Sequence, residues 1–176
     1  MKGVHNGERR HILNCIDMNT TGGSMNTFNT LLFRSQIDAL SVKLLSYECI
    51  AEIHTPADSW TIRDNVAHLI DSAANNHQRF IRLQLSENVV LPGYDAETWV
   101  NTAAVKQMSY RNLVMFWKLY NDYLLEVIAA IRTESLQYTW LNSDTGEKTT
   151  LEFIVNDYFS HLKTHEQMID ALAHEQ

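Results

Sequence analysis

Four stretches of this chain repeat apolar residues at helical spacing, and only two prolines and six glycines punctuate its 176 residues. With so few breakers the helices can be long, and long amphipathic helices bury their apolar stripes against one another. The first stretch runs from Phe28 to about Ile53, with Leu31, Leu32, Ile37, Leu40, Leu44, Leu45 and Ile50 in period. Pro56 and Asp58 close it. The second is introduced by Trp60 and Thr61, with Thr61 as N-cap and Asp64 at N3 in a capping box. It runs to about Ser86 and carries Ile62, Val66, Leu69, Ile70, Ala73, Phe80 and Leu83 on its apolar side. Ser109 caps a third stretch with Leu113, Phe116, Trp117, Tyr120, Leu124, Val127, Ile128 and Ile131. Thr149 with Glu152 is expected to cap the fourth, whose stripe is Leu151, Ile154, Tyr158, Leu162, Met168, Ile169 and Leu172.

The connections are less regular. Asn88 to Trp99 reads as a loop, with a short turn of helix near Trp99. Gln137–Leu141 and Lys148–Thr150 flank a turn and read as a small hairpin before the fourth helix. The expected fold is therefore all-α: a four-helix bundle with a loop segment between helices two and three. Residues 1–24 are polar, contain Thr20-Thr21-Gly22-Gly23-Ser24 and lack a sustained period. They read as an N-terminal extension, with residues 25–176 as the bundle domain and Met25 resembling a natural start.

Composition narrows the partners. A net charge of −7 argues against nucleic acid, which needs a basic face. No apolar run approaches the roughly 20 residues of a membrane span, and the opening residues show no secretory apolar core. A cytoplasmic protein is expected. Cys15 and Cys49 form no CxxC pair, so neither a zinc knuckle nor a disulfide scaffold is indicated, and Cys49 reads as core.

The chemistry concentrates in the fourth helix. His161 and His165 stand roughly 40° apart and one turn from each other, inside the apolar stripe. Buried imidazoles need partners. Either a metal takes a lone pair from each, or each bonds a carbonyl. On the second helix, His68 lies at the edge of the apolar side, with Asp71, Ser72, Asn75 and Arg79 within about 60° of it. That polar track is either a solvated face or a cleft wall, and spacing alone favours the solvated face. His77 points nearly opposite His68 and reads as structural or surface.

Trp60-Thr61-Ile62-Arg63, then Ala67-His68-Leu69-Ile70-Asp71-Ser72, Asn75 and Arg79-Phe80 resemble the second helix of the DinB/YfiT-like superfamily. The likeness continues through Pro92-Gly93-Tyr94-Asp95-Ala96-Glu97-Thr98-Trp99 and Asp144-Thr145-Gly146-Glu147 into His161 and His165, and covers residues 27 to 170. Its YfiT branch includes proteins described as metal-dependent hydrolases and as bacillithiol S-transferases. The resemblance implies one divalent metal, zinc or nickel, held by His68, His161 and His165. It also implies a homodimer. The chain departs from the family pattern at Ala67 and at Leu162, Lys163, Thr164 and Met168, where relatives often carry further histidines or an arginine. Those departures bear on the substrate, not on the ligands.

Three imidazoles leave a coordination position open, as catalytic zinc sites do. Such a site can activate water for hydrolysis or deprotonate a small thiol for S-transfer, and a bundle that binds metal without catalysis is the remaining alternative. Hydrolysis wants a general base. Asp71 is a candidate, as base or as support to His68, while Glu166 points away from the histidine axis. The sequence-level preference is for thiol transfer, with Asn75, Arg79, Tyr94 and Trp99 lining the substrate pocket.

Overall fold

The computed structural model describes residues 28–54, 60–102 and 107–175. The proposed extension at 1–24, Cys15, and the Pro56 and Asp58 stop signals lie outside them. Helices account for most of the rest: α1 (Thr30–Ser46), α2 (Ile62–Leu85), a short α3 (Ala96–Thr102), α4 (Tyr110–Ala129) and α5 (Leu151–His174). The strands are β1 (Asn88–Leu91), β2 (Thr139–Asn142) and β3 (Lys148–Thr150), with a 3-10 turn at Thr133–Gln137. The four long helices make the expected bundle.

Local chemistry sets the helix starts. The Thr61 hydroxyl accepts from the Asp64 N–H while the Asp64 carboxylate accepts from the Thr61 N–H, which satisfies two donors at the start of α2. Ser109 accepts from the Asn112 N–H at the start of α4. At α5 the cap falls one residue later than expected. Thr150, not Thr149, accepts from the Phe153 N–H; it is the last residue of β3, and α5 begins directly after it at Leu151.

Helix α4 packs against α1 and α2, and α5 packs against α2. Bonds between the helices give their directions. Arg34 pairs with Asp122 and Tyr110 reaches the Leu44 carbonyl, so α1 and α4 are antiparallel. His68 meets His161 while Asn65 meets His165, so α2 and α5 are antiparallel too. Ile37, Leu40, Leu44, Phe80, Trp117, Leu124, Ile128 and Ile169 form the shared core. Inside it the Tyr158 hydroxyl donates to Asn121 Oδ1 at 2.6 Å, tying α5 to α4.

Four residues of the expected apolar stripes turn out otherwise. Leu31, Leu32, Phe116 and Met168 are exposed. Cys49 is also exposed, in turns that follow α1 where the helix was expected to continue. The expected 88–99 loop holds a strand: β1 pairs in parallel with β2, from Asn88 opposite Thr139 to Leu91 opposite Asn142. The expected hairpin is present as β2 and β3, and the result is a three-stranded mixed sheet. Gly146 has φ of 75° in its turn, where a side chain would be strained.

Candidate metal centre

Antiparallel packing of α2 on α5 sets His68 against His161 and His165. His161 Nε2 lies 3.1 Å from His68 Nε2 and 3.1 Å from His165 Nε2. Among the described residues this is the one group of three or more His, Cys, Asp or Glu side chains placed to hold a metal ion, with ligand atoms all within 4.8 Å of one another. Zinc–nitrogen bonds of about 2.0–2.1 Å at tetrahedral angles put ligand nitrogens about 3.3 Å apart. Both short edges fall close to that spacing.

The hydrogen bonds around the cluster say which way the lone pairs face. Asn65 Nδ2 donates to the Thr61 carbonyl at 3.0 Å, which turns Asn65 Oδ1 toward His165 Nδ1 at 2.9 Å. His165 Nδ1 must then carry the proton, and its Nε2 presents a bare lone pair to the other two rings. A single N–H cannot satisfy three converging nitrogens. One cation can. Burial pushes His68 down to about 4, with His161 adding to the effect, and pushes His165 down to about 3, with His161 and His68 adding. Burial lowers His161 as well. All three rings are neutral near pH 7, the form that ligates a metal. Asn65 escaped the sequence reading, although it is an amide three residues before His68 on the same side of α2. Changing Asn65 to Ala should cut metal affinity about 10–100-fold with the fold intact, as measured by competition with a zinc chelator.

Aromatic side chains wall the cluster. Trp60 packs on His68 with ring centroids 5.1 Å apart, Tyr94 lies 6.2 Å from His68, and Trp99 stands edge-on to Tyr94 at 5.3 Å. Tyr94 is carried by the segment between β1 and α3, and this segment is pinned by a long-range contact. The Gly93 N–H donates to Asp144 Oδ2 at 2.9 Å, and a Cβ at Gly93 would sit 3.1 Å from Asn142 Nδ2. Two motifs far apart in sequence are thus joined to deliver one ring.

The polar track on α2 is not a solvated face. His68, Asp71 and Ser72 are buried, and Asn75 and Arg79 are partly so. Ser72 Oγ approaches His161 Nδ1 at 3.5 Å. Asp71 does not support His68: among the described residues, His68 Nδ1 and Asp71 Oδ2 are both buried without a partner. Burial pushes the Asp71 carboxyl up to about 6. Asn75 donates back to the Asp71 carbonyl of its own helix. Arg79 stacks on Trp140 at 4.0 Å, and sequence reasoning had no signal for Trp140 because it belongs to a distant strand. Glu166 does turn away, bonding Lys43 at 2.6 Å, and His77 meets the Tyr120 hydroxyl at 3.0 Å on another side of α2. A groove of about 330 Å³ lies between α1 and α5, lined by Phe33, Leu40, Phe159 and Leu162 among others, and none of the three histidines lines it.

Fold and site together define a four-helix bundle with a cluster of three histidines, two buried and His161 half-buried, that could hold a divalent metal. No family model matches the chain. A Bacillus cereus (strain AH820) protein named "Putative metal-dependent hydrolase" is 28% identical over 123 residues, which cover 69% of this chain and 70% of that protein. A Bacillus anthracis (strain A0248) protein of the same name matches to the same extent. Among solved structures, YfiT from Bacillus subtilis, described as a probable metal-dependent hydrolase with an unusual four-helix bundle topology, aligns with a TM-score of 0.72 at 19% identity. The alignment covers 86% of this chain and 90% of YfiT. These likenesses support the resemblance to the YfiT/DinB-like superfamily, and the likeness to YfiT shows the shared fold.

Proposed function

We propose that this protein is a metal-dependent hydrolase of small molecules, in which His68, His161 and His165 hold one divalent ion and Asp71 is the general base. The observation that carries the reading is the convergence of three neutral imidazole nitrogens, one of them with its lone pair fixed inward by Asn65. When bound, zinc or nickel on three nitrogens would supply Lewis acidity at an open position. The chain's own residues do the rest. Asp71, buried, unpartnered and pushed up to about 6, is mostly ionised at pH 7 and basic enough to take a proton from an attacking water. Trp60 and Tyr94 exclude solvent from the histidines, and Asn65 keeps His165 in one tautomer.

The preference for thiol transfer drawn from sequence left Asp71 as the candidate base for hydrolysis, with Glu166 pointing away. The burial of Asp71 and the names of the relatives support hydrolysis. Thiol transfer is the second reading: among the described residues the one cysteine, Cys49, sits exposed in the turns after α1, so in that reading the sulfur nucleophile arrives with the substrate. The same proposal takes the enzyme as a cytoplasmic homodimer. The exposed Phe116, Leu119 and Tyr123 on α4 support a second copy there.

The test is a screen of ester, amide and lactam substrates with zinc or nickel, alongside a small thiol with monochlorobimane. Chelator-sensitive hydrolysis that falls about a hundredfold or more in Asp71→Asn is expected. Turnover only in the thiol arm would replace hydrolysis by S-transfer, and activity indifferent to chelator would sink both.

A further inference from the structure

Among the described residues, Arg79 is a cation with no ion-pair partner. Its side chain is partly buried, it donates a hydrogen bond to the neutral Asn76 Oδ1 at 3.2 Å, and its guanidinium carbon lies over the Trp140 ring, 4.0 Å from the centroid. No carboxylate among the described residues stands within ion-pair distance of it. Its electrostatic neighbours are Tyr94 first and then the exposed Asp157 on α5, which is not within ion-pair distance. Holding a guanidinium partly out of water without a carboxylate is costly unless something else neutralises it.

The surroundings are those of a binding site. Contact with the Trp140 ring restrains the guanidinium, and a restrained planar fork is suited to take an oxyanion through two parallel N–H bonds. Trp140 is itself held, its Nε1 donating to the Leu91 carbonyl at 3.0 Å. Tyr94 joins this end to the histidines: its ring packs on His68, and its hydroxyl end feels Ser72, Arg79 and Asp71 together. Eleven residues of helix separate the Cα atoms of His68 and Arg79 by about 16 Å. The long arginine side chain, which leans back toward the helix N-terminus, shortens that gap. A molecule held at Arg79 would therefore run along Tyr94 toward the cluster.

Resting on the metal-dependent reading above, we infer that Arg79, seated on Trp140 and joined to the histidine cluster through Tyr94, anchors a carboxylate of the substrate. The substrate is then a small monoanionic acid whose reacting group lies several bonds from its carboxylate. A carboxylate fits better than a phosphate, because one guanidinium balances one negative charge. A dianion would leave a surplus beside Asp71 and Asp157 in a chain of net charge −7.

The experiment titrates the full-length protein, with and without one equivalent of zinc, with butyrate, butyramide and inorganic phosphate. Tryptophan fluorescence and calorimetry are the readouts. Saturable butyrate binding is expected, at least tenfold weaker in Arg79→Gln, weaker to a smaller degree in Arg79→Lys, and absent for butyramide. Helicity of each variant is checked by circular dichroism, and butyramide gives the charge test on unmodified protein should Arg79→Gln fold poorly. Equal binding of butyrate and butyramide, no butyrate binding, or undiminished binding in a folded Arg79→Gln would overturn the inference. Phosphate binding tenfold tighter than butyrate would overturn the carboxylate assignment. Zinc stoichiometry is measured in parallel. Lost zinc with intact butyrate binding breaks the metal reading alone, whereas retained zinc without butyrate binding breaks only this one.

Discussion

His165→Ala is expected to take bound zinc from about one per chain to near none, and the zinc-dependent gain in thermal stability should vanish with it. Two imidazoles hold a divalent ion poorly, and this substitution also removes the ring whose lone pair Asn65 aims at the centre. For the parent protein, free zinc at a thousand times its dissociation constant stabilises the native state by about 4 kcal/mol. In a domain of this size that raises Tm by about 8–16 °C, at about 2–4 °C per kcal/mol. His68→Ala and His161→Ala should behave alike. The control is His77→Ala on the same helix, whose ring faces Tyr120, and it should keep both the metal and the shift. Helicity should survive in every variant, since the core of Phe80, Trp117, Leu124 and Ile128 does not depend on these rings. Stoichiometric zinc retained in His165→Ala would remove the basis of the proposed site.

Asp71→Asn is expected to stabilise the metal-free protein near pH 7.5 while it removes activity. The folded-state pKa of Asp71 is raised to about 6 from an ordinary 3.8. Its ionisation therefore opposes folding, and that cost is absent below pH 4 and complete above pH 6. About two pKa units correspond to about 3 kcal/mol. The asparagine amide also needs a partner, so a net gain of about 2 kcal/mol, or about 4–8 °C in Tm, is the expected reading. His68 and His165 have the opposite dependence. Their folded pKa values are depressed to about 4 and about 3, below an unfolded value near 6.5. They cost nothing above pH 6.5, and stability is lost as the pH falls from there toward 4 and 3, because the unfolded chain takes up protons first. In metal-free protein the two histidines outweigh Asp71, and acid should unfold it by several kcal/mol between pH 6.5 and 4. In Asp71→Asn the same acid titration should be steeper. A melt of Asp71→Asn that tracks the parent at every pH would mean that the carboxyl is solvated.

The stability gain and the lost activity have one origin. A carboxyl left buried without a partner is expensive for the fold, and the same isolation raises its basicity toward neutral pH.

Much of this was legible along the chain, and the reasons differ by element. Thr61 with Asp64 and Ser109 announce helices because a cap is decided within three or four residues. The stripe of α2 reads correctly from Ile62 to Leu83, since its period counts side chains on one rod. His161 and His165 could be set on one side of a helix by counting turns, and the resemblance supplied His68. Elements that depend on distant partners were missed. Asn88–Leu91 is four residues with no alternation, and it is a strand only because Thr139–Asn142 lies beside it. Capping by Thr150 instead of Thr149 has a similar origin, because the pairing of β3 with β2 runs through Thr150 and sets where the strand ends and α5 begins.

By itself the sequence determined the rods, their caps and the two imidazoles one turn apart, because those depend on bond geometry and on neighbours up to four residues away. Tertiary structure alone decided that the polar side of α2 faces inward. The segment carrying Tyr94 folds over it, held by the bond from Gly93 to Asp144, and Trp140 arrives from another strand to seat Arg79. Burial is a property of what lies opposite a side chain, and contacts between residues some fifty apart in sequence leave no period to read. A string of His, Asp, Ser, Asn and Arg becomes a site only when other parts of the chain exclude water from it.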